Sequence, residues 1–507
     1  MKKIFYSIAI LAIFSPCFTG CLDVDPVSSI TVPNFWKSTN QIEAFNIGLH
    51  SRLRSHSFNL FLLGEARSDI YGDNPFGGEA PQGMERFPYN TLSEDSPGIS
   101  NYAGFYENIN QLNLMIEEIK KTSLLNDEQK SYYLGQSFGM RAFYYFHLLR
   151  SWGDAIIYIE PTYGQNIDLP NLPKAKSPAS DILGQIKSDI DESNKYFGNN
   201  YAFRISKNYW SKAATQMLKA EVYLWSGRQM NGGSNDYTIA KDALSEIQTE
   251  VPSLGLMDSF KDVFSYNHKN NKEIIFSLKS DQDEFSLFNG SFASNFLPQT
   301  NYIGTYYHED GTKWNTTVEN MAGLMRLQVR KEVFDNTFAT GDLRKTYSLK
   351  GVYDKDKNYA GCFPYKYQGT NLPGQSNRAM IDDYPIYRYA DLLLMIAEAK
   401  SLLGENPEQE INAIRKRAFE SNYNNTVAFP NQIGDTDIQK TILQERLREF
   451  MFEGKRWYDL RRFGNNYVFD VTYADKNDPR KLLWPIDKNT LTNNRLLIQT
   501  PGYETAQ

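Results

Sequence analysis

Apolar residues recur at intervals of three and four along most of this chain, and that period commits it to stacked amphipathic helices. Tyr102, Phe105, Ile109, Leu112, Ile116 and Ile119 form one such stripe. After a polar turn a second helix opens near Asp127 and carries Tyr133, Gln136, Met140, Phe143 and His147 on one side. Gly135 and Gly139 in that helix leave room for another backbone to approach. Two adjacent amphipathic helices form a hairpin. The stripe returns as Leu183, Ile186, Ile190 and Phe197, then as Ala213, Met217, Ala220 and Leu224, and more briefly as Ala240, Ala243, Leu244 and Ile247.

Late in the chain Leu392, Ile396, Ala399 and Leu403 line another helix, which Gly404 closes. Asn406-Pro407 opens the next, with Glu408 and Glu410 in its first turn and Arg415, Lys416 and Arg417 in its last, as the helix dipole favours. Residues 385–420 therefore read as a helix-turn-helix. A further helix begins at Thr436, whose hydroxyl can cap the amide near Gln439, and runs through Ile438, Ile442 and Phe450 toward Trp457, with Gly464 at its end. Four degenerate helix pairs result, suited to tetratricopeptide-like stacking although that repeat's consensus is absent.

Stability has to come from this helical core, because cysteine supplies none. The first residues, Met1-Lys2-Lys3 and an apolar run to about Phe18, read as a secretory signal too short and too broken to span a membrane. Phe18-Thr19-Gly20-Cys21 places small residues before a cysteine, so cleavage before Cys21 and lipidation of its thiol are expected. Cys17 leaves with the signal, and Cys362 then has no intrachain partner. Several acyl chains on one N-terminus give stable membrane anchoring. Removal of the 20-residue signal takes Lys2 and Lys3 with it and leaves 52 basic against 60 acidic residues. That net negative charge argues against a nucleic-acid partner or an anionic-lipid surface.

The organisation that follows is a signal peptide over residues 1–20, an extended tether over 21–35 and an N-terminal helical scaffold over 36–250. A loop-rich inserted lobe covers 251–384, and C-terminal helices cover 385–507. In the lobe the texture changes to Asn, Gly, Ser and aromatics with short strand-like pieces such as residues 273–278. A stretch that long cannot be one structureless loop, and inserted lobes often carry the site.

Three C-terminal stretches have a recognisable order. They are Tyr387-Arg388-Tyr389-Ala390-Asp391-Leu392 with Ala397-Glu398-Ala399, then the run from Glu445-Arg446-Leu447-Arg448-Glu449-Phe450 through Gly454-Lys455-Arg456-Trp457-Tyr458-Asp459, then Trp484-Pro485-Ile486. Upstream, Asn34-Phe35-Trp36, Arg141-Ala142-Phe143-Tyr144-Tyr145 and Gly153-Asp154 also fit, as does Gln499-Thr500-Pro501-Gly502-Tyr503. Together they resemble the SusD/RagB family of outer-membrane nutrient-binding lipoproteins, with departures at Leu447 and Lys455. The resemblance implies a mainly α, SusD-like fold in which four tetratricopeptide-like helix pairs support the variable lobe. It also implies a non-catalytic protein without cofactors, lying as a lid on a SusC-like TonB-dependent transporter and binding oligosaccharides or, in some members, peptides. Asp23 and Asp25, just after the lipidated cysteine, look like the family's surface-export signal and favour the outer face.

The residues themselves give catalysis little support. Glu445, Glu449 and Glu453 recur every four residues among Arg446, Arg448 and Arg456, the pattern of a structural ion-pair network. Five scattered histidines make no metal motif, and neither a nucleophile elbow nor a phosphate loop is present. A glycoside hydrolase, needing only two carboxylates distant in sequence, is the rival of another class.

For ligand contact the informative places are loops, where a helix face cannot account for an aromatic ring. Residues 281–314 hold eight aromatics, among them Tyr302, Tyr306, Tyr307 and Trp314, and Tyr306-Tyr307-His308-Glu309-Asp310-Gly311 combines rings with polar groups. That composition suits stacking on a sugar's C–H face while side chains bond its hydroxyls. A second turn-rich loop offers Tyr71, Asp73 and Asn74 before Pro75 and Phe76. Arg378 is a further candidate.

Overall fold

The computed structural model describes residues 35–504, apart from 77–79, 164–171, 317–318, 321–322, 376–377 and 433; Cys21 and the tether lie outside the described residues. Two helices precede the first one legible in the sequence. α1 (Thr39–Ser55) starts where the Ser38 hydroxyl accepts the Gln41 N–H at 3.3 Å, and α2 (Ser57–Glu65) follows directly. Their patterns are weak for opposite reasons. α1 carries Asn46 in the middle of its buried face, and α2 is buried nearly all round, so neither shows a clean stripe.

α3 (Tyr102–Lys121) and α4 (Asp127–Trp152) form the expected hairpin. Asn126 opens α4 in a reciprocal capping box with Gln129. α5 (Ala179–Phe197) packs on α4, and α6 (Lys212–Gln229) pairs with α7 (Gly233–Glu250). The glycines of α4 act as the sequence suggests. A Cβ on Gly135 would meet the Phe197 ring at 2.9 Å, and one on Gly139 would lie 2.2 Å from Trp210 Nε1 and 2.9 Å from Thr215 Oγ1. Since Trp210 Nε1 donates to Thr215 Oγ1 at 2.8 Å, neither group can withdraw without breaking that bond. Gly139→Ala is expected to cost about 1–3 kcal/mol, read from the urea midpoint at unchanged slope.

The irregular stretch after α7 returns to the scaffold by strand pairing. β1 (Tyr71–Asp73), from the loop after α2, pairs antiparallel with β3 (Gln328–Val329). β2 (Ile274–Leu278) pairs antiparallel with β6 (Tyr384–Arg388), and β4 (Leu349–Tyr353) forms a hairpin with β5 (Tyr359–Pro364). A short helix, α8 (Lys331–Asn336), follows β3. β6 runs straight into α9 (Tyr389–Leu402), so residues 385–388, expected in a helix, are strand. α10 (Glu408–Phe419) follows after Gly404, whose φ of +75° ends α9. The molecule is mostly helical, with few and short strands.

The last motif departs from the sequence reading twice. α11 (Ile438–Phe450) is capped by the Asp437 carboxylate, which accepts from Gln439 and Lys440, and not by Thr436. It also stops at Phe450, and α12 (Arg456–Phe463) is a separate helix that Gly464 ends. Phe452 and Gly454 between them adopt φ values of +68° and +69°, and Glu65 accepts both of their N–H groups, at 3.0 and 2.9 Å. A buried carboxyl group from α2 thus holds open a break that the helical period alone would close.

Beneath lies a buried charge network. Glu445, Glu449 and Glu453 are fully buried, and their main partners come from other elements. Arg344 and Arg415 reach Glu445, Arg388 and Arg417 reach Glu449, and Arg388 with Lys366 reach Glu453. Of the local network the sequence suggested, Arg448–Glu445 forms at 2.7 Å, whereas Arg446 pairs with Asp391 and Asp459 and Arg456 with Asp69. Arg67 lies 4.5 Å from the Trp457 ring and 5.1 Å from Trp484, and Arg141 pairs with Asp189 at 2.6 Å, so these motif residues also belong to the scaffold.

Candidate functional site

Strand pairing brings the two candidate loops together. β1 lies beside β3, and the Phe76 N–H donates to Gln328 Oε1 at 2.7 Å. The Phe76 ring meets Tyr306 edge-on at 5.4 Å. Tyr307 is tied to β4 by reciprocal backbone bonds with Tyr353, at 2.9 and 3.0 Å. Beyond it, His308 accepts the Gly311 N–H and donates its own to Thr312, so a tight turn projects from the strand.

That turn and β4 border an open groove of about 830 Å³, lined by His308, Glu309, Asp310, Glu319, Phe334, Lys345, Lys350 and Tyr353. His308 Nε2 lies 3.0 Å from a Glu319 carboxylate oxygen, and its ring packs 4.0 Å from Trp314. Lys350 Nζ stands 5.3 Å from the Tyr365 ring and 5.9 Å from Trp314, and Lys345 Nζ stands 4.3 Å from Phe334. Neither ammonium has an ion-pair partner among the described residues. The Thr312 N–H bonded to Asp310 holds that carboxyl below its ordinary range, so Asp310 is a hydrogen-bond acceptor and no proton donor at neutral pH. The groove therefore offers rings, acceptors and cationic donors side by side.

The candidates from the sequence divide sharply. Trp314 is only 4% exposed, because His308 and Phe363 cover its ring, so it supports the groove wall and presents no platform. Tyr71 has no exposed surface at all. Its hydroxyl donates to Glu65 at 2.8 Å and its ring packs against Phe296, which makes it a core residue. Asp73 is exposed, yet its carboxylate accepts the Lys331 N–H at 2.6 Å at the start of α8, a local backbone task. Tyr306 and Tyr307 are half-buried beside the groove, and Tyr302 is 39% exposed on the short helix Thr300–Ile303. Asn74 is exposed at the end of β1. Arg378 donates to the Gln368 carbonyl and does not line the groove.

Lys345, Lys350, Glu319, Phe334 and Tyr353 escaped the sequence reading. The signal available was the polar turn Asp354-Lys355-Asp356-Lys357-Asn358 between two strand-like pieces, which marks the hairpin. No group of three or more His, Cys, Asp and Glu able to hold a metal ion occurs among the described residues.

Comparison with known proteins bears on the whole chain. Residues 260–503 match the model of the SusD family, and residues 21–224 match a model described as "Starch-binding associating with outer membrane". The solved structure of B. fragilis NanU superposes with a TM-score of 0.89 at 50% identity, covering 95% of this chain and all of that one. A SusD superfamily protein from Bacteroides vulgatus superposes with a TM-score of 0.87 at 48% identity, over 92% of this chain and all of its own. The SusD-like protein P38 of Formosa agariphila is 27% identical over 97% of both chains. Two family models that between them take in both the helical scaffold and the motif-bearing C-terminal half, and a full-length likeness at 50% identity, lead to one conclusion: the chain belongs to the SusD family.

Proposed function

We propose that this protein is a non-catalytic surface receptor that captures an oligosaccharide in the groove beside His308 and passes it to a SusC-like TonB-dependent transporter. The groove carries this reading. The half-buried Tyr353 ring presents apolar surface, while Glu309, Asp310, Glu319, Lys345 and Lys350 surround it with acceptors and donors. A sugar has the same two faces, C–H groups on one side and hydroxyls around the edge. The family model's description as starch-binding and outer-membrane-associated supports the ligand class and the location. Lipid on Cys21 would hold the protein to the outer leaflet, facing outward. No helix among the described residues is long and apolar enough to cross a membrane.

Calorimetric titration of the mature protein against oligosaccharides and peptides tests this. Saturable binding to one glycan class without product formation is expected, with Lys350→Ala weakening it about tenfold, or ~1.4 kcal/mol. Binding to peptides alone favours a peptide receptor, and release of shorter sugars favours a hydrolase; either result overturns the proposal.

A further inference from the structure

Tyr89 and Tyr473 lie outside the groove and outside every task described so far, yet both are large rings left in solvent, 40% and 52% exposed. They come from chain segments nearly four hundred residues apart and meet with ring centroids 5.1 Å apart. Their positions are held. The Tyr89 hydroxyl donates to the Gly72 carbonyl at 2.8 Å, and a Cβ on Gly72 would touch the Tyr473 ring at 3.4 Å and Arg330 at 3.6 Å. The Arg330 guanidinium lies 5.7 Å from the Tyr473 ring and bonds Glu332 at 2.5 Å. A glycine with φ of +146° thus seats two aromatic rings and a cation around one point of the surface.

The platform also stands close to the groove. Arg330 immediately precedes α8, and its carbonyl accepts the N–H of Phe334, which lines the groove, at 3.1 Å. One helical turn, about 6 Å of rise, separates the two backbones. On this turn Val333 is buried while Lys331 and Glu332, with Asp335 just beyond Phe334, are polar and exposed.

From this juxtaposition we infer that Tyr89, Tyr473 and Arg330 form a second saccharide subsite, continuous with the groove across α8, so that the ligand is an extended oligosaccharide and not a mono- or disaccharide. This rests on the glycan-receptor reading of the groove and adds the length of chain recognised. Two tilted rings stack on successive C–H faces, and the guanidinium bonds the hydroxyls or acidic groups at their edge. Preordered rings lose little freedom when the sugar arrives.

The test uses the mature full-length protein on an array of glycan ladders running from disaccharides to octasaccharides. Variants are Tyr473→Ala, Tyr473→Phe and, in the groove, Lys350→Ala. Binding by the unmodified protein should strengthen with chain length. Tyr473→Ala should remove about tenfold from the long members and leave the short ones unchanged, while Tyr473→Phe, which keeps the ring, should behave as the parent. Lys350→Ala should weaken all lengths. Loss at every length in Tyr473→Ala, or loss at none, overturns the second subsite while a Lys350→Ala effect keeps the groove. A Tyr473→Ala protein with unchanged binding and an altered oligomeric state on a sizing column would make the platform a protein interface and overturn the inference. No binding to any ladder by the parent overturns both readings.

Discussion

Arg388→Ala is expected to destabilise the protein by about 3–5 kcal/mol, because it strips the central cation from a buried cluster. The Arg388 guanidinium, 1% exposed, lies 2.7 Å from Glu273, 2.6 Å from Glu449 and 2.7 Å from Glu453, and donates again to the Glu449 carbonyl at 2.8 Å. One face of it packs 4.5 Å from the Phe450 ring. Alanine would leave three carboxylates in an apolar interior with fewer compensating charges, and no water can enter cheaply to solvate them. Arg388→Lys should rescue little, since a single ammonium cannot reach three carboxylates in the fork geometry. The surface pair Lys121–Glu117, both partly exposed, is the internal control: Lys121→Ala should shift the urea midpoint far less. If Arg388→Ala and Lys121→Ala prove equal, the network contributes no more than surface charge.

Acid should unfold the protein steeply, and the same cluster sets the pH. Burial alone would raise these carboxyls, but the surrounding cations outweigh it. Arg344, Arg448 and Arg415 bring Glu445 down to about 2 from an ordinary 4.5. Arg417, Arg388 and Arg344 depress Glu449, Arg388 and Lys366 depress Glu453, and Lys455 and Arg446 depress Asp391. A carboxyl whose folded value is depressed adds stability above its unfolded value and loses it as pH falls toward the folded one. For Glu445 alone that amounts to on the order of 3 kcal/mol between pH 4.5 and 2. Glu65 and Asp382 act in the opposite sense, since burial pushes them up to about 8 and about 7, and stability they allow in acid declines as pH rises through those values. Thermal midpoints taken across pH should therefore peak in the mildly acidic range, with the steeper fall on the acid side where several glutamates titrate together. A flat profile down to pH 3 would refute the depressed values.

The helical scaffold was legible because its cause is local. A stripe at helical spacing needs only neighbouring residues, and α3 to α7, α9 and α10 fall where their stripes and caps place them. α1 and α2 were missed because a polar residue interrupts one buried face and the other helix has no exposed face. The break between α11 and α12 was missed because Glu65, hundreds of residues away, imposes it. The turn from Tyr306 to Gly311, singled out for its mix of rings and polar groups, borders a groove, but which of its neighbours face solvent was not readable. Trp314 and Tyr71 have the composition of ligand contacts and are covered, whereas Lys350 and Tyr353, ordinary in sequence, line the opening.

What the sequence determined by itself is the class of fold and the family motifs, since both depend on residue type and short spacing. The tertiary structure alone decided which carboxylates share which arginines, which aromatics are buried and where the groove opens. Those are properties of distance through space. Burial depends on what another segment brings to cover a ring, and Tyr473 becomes a neighbour of Tyr89 only once β3, the loop after α2 and the C-terminal segment have met around Gly72.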